Sequence, residues 1–361
     1  MSTEASIAPA AAGAATPTRP VRTQRRLSRA GLAGLFSGGL VVGAALSALT
    51  GFGVVRTVVY GAVLGTLAVY VSSRVVEGRR KATDRLVTSV VTSAFAVAMV
   101  PLVSLVYTVL SHGLKRLDAT FFSNSMVGVI GEGGGAYHAI LGTLVVTAVT
   151  AVISVPIGLL TAIYLVEFGR GKLSRAITFF VDVMTGIPSI VAGLFAFALF
   201  SIFLGPGVRM GLAGSVALSV LMVPVVVRSA EEVLKLVPNE LREASYALGV
   251  PMWRTVVKVV VPTAIAGLGT GVTLAVARVI GETAPLLVTL GITNGTNTDP
   301  FSGRMATLPV FAYYQLTQPG FPPGFAIDRA WTAALILIVL VMALNVVARL
   351  ISRFFAPKTG R

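Results

Sequence analysis

Eight mostly apolar runs recur along the chain, at about 31–50, 54–73, 86–111, 140–166, 175–204, 213–230, 263–290 and 330–350. Each is long enough for a helix to cross a hydrocarbon layer about 30 Å thick. The pattern predicts an all-α, polytopic bundle of transmembrane helices. Several runs exceed the minimum and leave room for tilt or for extension past the lipid. Two of the polar segments between runs are long: 112–139, with "GEGGG", and 291–329, with "NGTNTDPFSG" and "FPPGF". Both are rich in turn formers, and "LPVFAYYQL" in the second predicts a short helix lying on the outer face.

Charged residues make up only 12% of the chain, about half the share typical of a soluble domain. There is no cysteine, and the only histidines are His112 and His138. No catalytic residue, metal site or resident cofactor is therefore assigned. A net charge of +15 would suit a nucleic-acid partner if it were gathered in one patch, but here it falls in short clusters between apolar runs. Arg56, Lys115, Arg116, Arg209, Arg304 and Arg329 fall on one side, and Arg278 lies inside a run. The remainder of the 29 Lys and Arg residues share the side of the N-terminus. By the positive-inside rule, both termini are cytoplasmic, and the partner surface is membrane lipid rather than nucleic acid. Residues 1–30, closing on "RPVRTQRRLSRA", read as a disordered basic tail rather than a secretory signal, and 356–361 as a short C-terminal tail.

One cytoplasmic loop, 231–262, has helical grammar: "EEVLKLVPNELREASYALGVPMWRTVVKVVVP". Pro238 suits a first helical turn, with Glu240 beside it at the positive end of the helix. Gly249 suits the left-handed position after a helix, and Pro251 opens a second one. The result is a helix–turn–helix. An amphipathic segment lying on the inner leaflet, anchored by Trp253, is the competing reading.

Within this loop, Glu243-Ala244-Ser245, three residues, Gly249, nine residues, then Val259-x-Val261-Pro262 resembles the EAA motif of ABC-transporter permeases. Ser245 departs from the family's second Ala, and Val259 and Val261 from its Ile and Leu. Together with "GIPSIVAGL" and "ARVIGETAPLL", the loop resembles the PstA-type permeases of phosphate-specific (Pst) transporters. That resemblance implies a type I ABC importer permease (MetI-like) core over 86–355. The hairpin and loop at 31–85 form an N-terminal addition, whose Gly38, Gly39, Gly43 and Ala44 suit close helix packing.

The resemblance also implies partners: a PstC-like permease subunit, two copies of a PstB-like ATPase and a PstS-like extracellular phosphate-binding protein, in a bacterial plasma membrane. Glu243, Ala244, Ser245, Gly249 and Pro262 would couple to the ATPase. Consistently, the chain has no G-x-x-x-x-G-K-[ST] loop, so ATP belongs to the partner subunit. A permease for sulfate or molybdate is the nearest rival; an ion-coupled secondary transporter is a second, for which no internal repeat is evident.

An ionised side chain near the bilayer midplane costs about 2.5–3.5 kcal/mol on translocon scales. The stretch "LAVARVIGETAPLL" nevertheless carries Arg278 and Glu282, four residues apart, with Pro285 after them. On a continuous helix the two share one face, and Pro285 weakens the helix beside them. Such residues persist in lipid where they face protein or a water-filled cavity, so the pair is expected to face the bundle interior. One reading is an internal ion pair that fixes packing. The other is a translocation-pathway site, in which Arg278 meets a passing anion and Glu282 holds the guanidinium between passages. Asp182 is a further pathway or interface candidate.

Overall fold

The computed structural model describes residues 27–49, 51 and 53–355. The two expected tails lie outside the described residues, apart from 27–30, where the first helix already begins. The chain divides into two compact units at Ser104/Leu105.

The first unit holds α1 (Arg29–Leu49), α2 (Val54–Val76) and the opening part of α3 (Arg79–Gly113). α1 and α2 approach backbone to backbone: a Cβ on Gly39 would lie 2.3 Å from the amide nitrogen of Gly65, and one on Gly43 2.4 Å from that of Gly61. Close packing of small residues is thus present at Gly39 and Gly43, with the α2 glycines Gly61 and Gly65 completing it, whereas Gly38 faces open space. Glu77 closes the unit. Its carboxylate accepts hydrogen bonds from Leu27 N (2.8 Å), Ser73 Oγ (2.7 Å), Arg85 Nε (2.6 Å) and Arg85 Nη2 (2.8 Å).

The second unit continues α3 and adds a 3₁₀ turn (Leu114–Arg116), α4 (Ala119–Ser123) and α5 (Tyr137–Ile163). A wider, π-type turn, Tyr164–Phe168, extends α5. α6 (Lys172–Thr185), α7 (Ser189–Leu204) and α8 (Gly211–Lys235) follow. Next come the loop helices α9 (Asn239–Ala247) and α10 (Met252–Thr255), a π-type turn at Val256–Val260, and α11 (Val261–Val279). α12 (Ala284–Thr289), α13 (Leu308–Thr317) and α14 (Gly324–Phe355) complete the unit. α8 is its axis: 67% of its apolar window is buried, against 33% or less in any other span. Val146, Leu218, Met222, Val226, Ala275, Val279, Leu286 and Leu290 form the central core, from α5, α8, α11 and α12.

Among the described residues, seven helices are long and apolar enough to cross a membrane, or eight if one bent pair counts as a span. That pair corrects the expected run 175–204: α6 and α7 meet at 107°. Gly186 caps α6 at its C-terminus, and Pro188 biases Ile187 away from the helical region, which suits the break observed between the two helices. The run 263–290 is also not one helix. It starts earlier, at Met252, and stops at Val279. α13 is helical as expected but does not merely lie on a face, because Leu308, Pro309, Val310 and Phe311 are buried.

Arg85, hydrogen-bonded to Glu77, holds that carboxyl down to about 2. A carboxyl depressed from 4.5 favours the folded state above that value, and the contribution fades as pH falls through the folded value. Glu77→Gln is therefore expected to speed amide hydrogen exchange across α1 and α2 at neutral pH. The wild-type hairpin should lose the same protection only in acid, between pH 4.5 and about 2.

Candidate functional site

Three features bear on function, and α8 and α11 connect them. The first is the break after α11. Ile280 N bonds Val276 O at 3.1 Å, and Glu282 N bonds Val279 O at 3.1 Å, closing a tight turn. Pro285 then stands in the first turn of α12. It starts a new helix rather than kinking an old one, because its missing N–H matters least there. This corrects the expected geometry. Arg278 and Glu282 are not on one helical face, and among the described residues neither side chain forms an ion pair or hydrogen bond, with the other or elsewhere.

Arg278 is also exposed on this chain rather than turned into its own bundle, while Glu282 is half-buried. Arg278 ends an uncovered stripe of α11 made by Thr263, Thr270, Leu274 and Arg278, residues at helical spacing along one face. A charged side chain and unpaired backbone at the end of an apolar helix are tolerated where protein or water covers them.

α12 is held beside this break by α7. A Cβ on Gly193 would lie 2.6 Å from Cα of Pro285, so only glycine lets the two backbones approach this closely. Gly193 belongs to "GIPSIVAGL" and Pro285 to "GETAPLL"; the two diagnostic segments pack on one another.

The second feature is the loop helix pair. α9 begins at Asn239, with Pro238 as its cap rather than in its first turn. It ends as expected: Gly249 has φ +74°, and Gly249 N and Val250 N return to Tyr246 O and Ser245 O at 2.9 and 3.2 Å. Ser245 and Thr255, both buried, share a hydroxyl–hydroxyl bond of 2.8 Å that pins α9 to α10. The serine that departs from the family's alanine is the residue that makes this bond. Glu243, Ala244 and Gly249 are exposed on the loop, as are Leu236, Tyr246, Leu248 and Trp253, whereas Pro262 is half-buried where α11 begins. A cluster of exposed apolar side chains on a loop marks an interaction surface, for a protein partner or for the membrane interface.

A long-range ion pair, not expected from the residues, anchors this pair. Arg242 Nη2 meets Glu167 Oε1 at 2.7 Å, with side chains only 12% and 4% exposed. The same guanidinium donates to Val237 O (2.6 Å) and Leu234 O (3.1 Å), covering the carbonyl end of α8. Glu167 sits in the π-type turn that ends α5. The ion pair thus ties α5, α8 and α9 together. An acid at the end of an apolar run was the available signal.

The third feature is Asp182 on α6, which pairs with Arg228 of α8 and not with Arg278. Arg228 also meets Glu231 (2.8 Å), which in turn meets Lys235 (2.6 Å). Asp182 therefore belongs to a network toward the loop end of α8.

An all-helical bundle of candidate membrane spans, with a helix pair on one loop and a broken span ending at Arg278, is an architecture that comparison with known proteins places among the permease subunits of ABC importers. The model of the family described as "binding-protein-dependent transport system inner membrane component" matches residues 154–361. "Phosphate transport system permease protein PstA 1" of Mycobacterium tuberculosis is 48% identical over 286 residues, 78% of this chain and 91% of that protein. "Phosphate transport system permease protein PstA" of Pasteurella multocida is 37% identical over 71% of this chain and 88% of its own length. The fold is similar to a bacterial alginate ABC transporter crystallised with its pentasaccharide-bound periplasmic protein. There the TM-score is 0.53 at 13% identity, covering 77% of this chain and 97% of that one. The chain belongs to the family of binding-protein-dependent transport system inner membrane components, among its PstA-type permeases.

Arg242→Ala leaves a buried carboxylate without its counter-charge, a change that typically costs about 3–5 kcal/mol. Hydrogen exchange across 236–250 should accelerate accordingly, and the double variant Glu167→Gln/Arg242→Met should recover much of the loss.

Proposed function

We propose that this chain is one permease half of an ATP-driven importer of inorganic phosphate in a bacterial plasma membrane, with both termini in the cytoplasm. A PstC-like subunit completes the translocation path. Two copies of a PstB-like ATPase sit on the cytoplasmic side, and a PstS-like binding protein delivers phosphate from outside. ATP is bound by the ATPase, and this chain performs no covalent chemistry.

The observation that carries this reading is the unbroken helical segment Met252–Val279. Its first turn is pinned to α9 through Thr255, and its last carries Arg278. At 1.5 Å per residue, displacement of the docking pair is transmitted over roughly 35 Å to the arginine. Exposure of Arg278 on this chain fits a path formed between two subunits rather than inside one. With Glu282 unpaired, the guanidinium is open to a bidentate phosphate oxygen pair. If the 280–283 turn rearranges to bring Glu282 back, the carboxylate competes for the same fork and the anion is released. Alternating access then follows from ATP-driven closure acting on the loop pair.

Arg278→Gln is expected to abolish uptake of radiolabelled phosphate while the assembled complex and its ATP hydrolysis persist; normal uptake would remove Arg278 from the path. Competition of wild-type uptake by sulfate or molybdate as strongly as by phosphate would assign a different oxyanion.

Glu243→Lys, or Gly249→Leu, should weaken retention of the ATPase subunit on co-purification. Gly249 needs its positive φ, so leucine there distorts the end of α9. Full retention with coupled hydrolysis in both variants would move the docking surface elsewhere.

A further inference from the structure

At the end of α8 opposite the docking loop, two arginines converge on one glycine. Gly291 has φ +71°, and a Cβ built there would lie 3.0 Å from Cδ of Arg209 and 3.2 Å from Cδ of Arg304. Both side-chain stems therefore pass next to the space that a single methyl group would fill. Both backbones are tied down. Met210 N bonds Thr289 O at 3.2 Å beside Arg209. Arg304 O accepts from Asn297 Nδ2 at 3.1 Å, and Leu212 N bonds Pro300 O at 2.7 Å, fastening the same loop to α8.

What separates these two arginines from their neighbours is the state of their charges. In the segment after α3, Lys115 pairs with Asp328 (3.6 Å) and Arg116 with Asp118 (3.0 Å). Arg329 is buried, donating to Gly131 O (2.7 Å), Gly133 O (3.1 Å) and Gln315 Oε1 (3.0 Å). Asp299, the acid closest in sequence to Arg304, spends its oxygens on Phe301 N (2.9 Å) and Ser302 Oγ (2.7 Å). Among the described residues, neither Arg209 nor Arg304 has an ion-pair or side-chain hydrogen-bond partner. Arg209 is half-buried and Arg304 exposed. Two like charges held together without a counter-ion repel, and a shared anion relieves that repulsion.

We infer that Arg209 and Arg304 form an outer-mouth site for a tetrahedral oxyanion, free inorganic phosphate in the first instance. Each guanidinium offers a planar fork, and a tetrahedral dianion has oxygen pairs for both, which a halide lacks. The site is partly open to water, which weakens each contact and keeps release fast. Its place in the chain fits a sequence of two stations. Gly291 follows the last turn of α12, and Arg278 precedes the first, so a short helix, about 9 Å of rise, separates mouth from break. The inference rests on the reading of the chain as an anion permease.

The test maps phenylglyoxal modification of the assembled membrane transporter by mass spectrometry, at constant ionic strength, with inorganic phosphate, sulfate or chloride. Phosphate and sulfate should slow modification of Arg209 and Arg304 severalfold and chloride should not. Arg209→Gln should remove the protection at Arg304. Equal protection by chloride, no protection, or protection of Arg304 that survives Arg209→Gln overturns the site.

In uptake, Arg209→Gln/Arg304→Gln should raise KM about tenfold or more, since even one charge-assisted hydrogen bond lost is worth that factor and the variant removes both forks, with maximal rate and ATPase retention preserved. Arg304→Lys, which keeps charge but not the fork, should fall between. An unchanged KM refutes the site while the transport reading stands; absence of phosphate uptake by the wild-type complex refutes the transport reading itself. If the double variant instead weakens docking of the substrate-binding protein and phosphate protection is absent in the wild type, the arginines serve that protein's carboxylates and the inference fails. A double variant that does not assemble leaves the decision with the modification experiment.

Discussion

Lipid offers no hydrogen bonds, so every peptide group in a span must find its partner within the helix or be covered by protein or water. The second unit is organised around the places where this constraint is relaxed. α6 and α7 part at Gly186–Pro188, and α11 and α12 at 280–283. Both interruptions are enclosed by the same element, α8, the most buried span. Breaks of this kind at membrane depth characterise substrate sites in transport proteins, because a continuous helix presents only side chains to a passing solute. Here the second break carries Arg278 on one side and Glu282 on the other.

Glycine makes the arrangement possible at short range. α12 is too short to hold its own position in a bundle; it is kept in place because Gly193 of α7 admits the Pro285 backbone and Gly214 of α8 admits Leu290. The first unit uses the same device between α1 and α2, but its closure is ionic, at Glu77. There four donors converge on one carboxylate, which keeps it charged.

Much of this was legible in the residues. Span positions followed from apolar runs, because burial in lipid demands about twenty such residues whatever the fold. Gly249 was legible because a left-handed residue after a helix is nearly a glycine monopoly. The two breaks were not, although Gly186, Pro188, Gly281 and Pro285 stood in view. A proline in a membrane helix is compatible with continuity, as Pro156 in α5 and Pro224 in α8 demonstrate, so local chemistry alone does not separate a kink from a stop. The presumed Arg278–Glu282 pair failed for the same reason: i, i+4 spacing implies a shared face only if the helix persists. Arg242 with Glu167 was out of reach because 75 positions separate them, and nothing local in either residue announces the other.

Ser245 shows how the helix pair α9–α10 is held. An alanine there would allow the same close approach of α9 to its neighbour but would leave the Thr255 hydroxyl without this partner. With serine, the two helices are joined by a hydroxyl bond at the point where α10 runs into α11, and Arg242, one turn earlier on a neighbouring face of α9, fixes it to α5 and α8. The loop is therefore rigid on its inner side and apolar on its outer side. A flexible loop absorbs displacement in its own dihedrals, whereas a pinned helix pair has few to spare and leaves displacement to the element to which it is joined. That element is the helix that ends at Arg278.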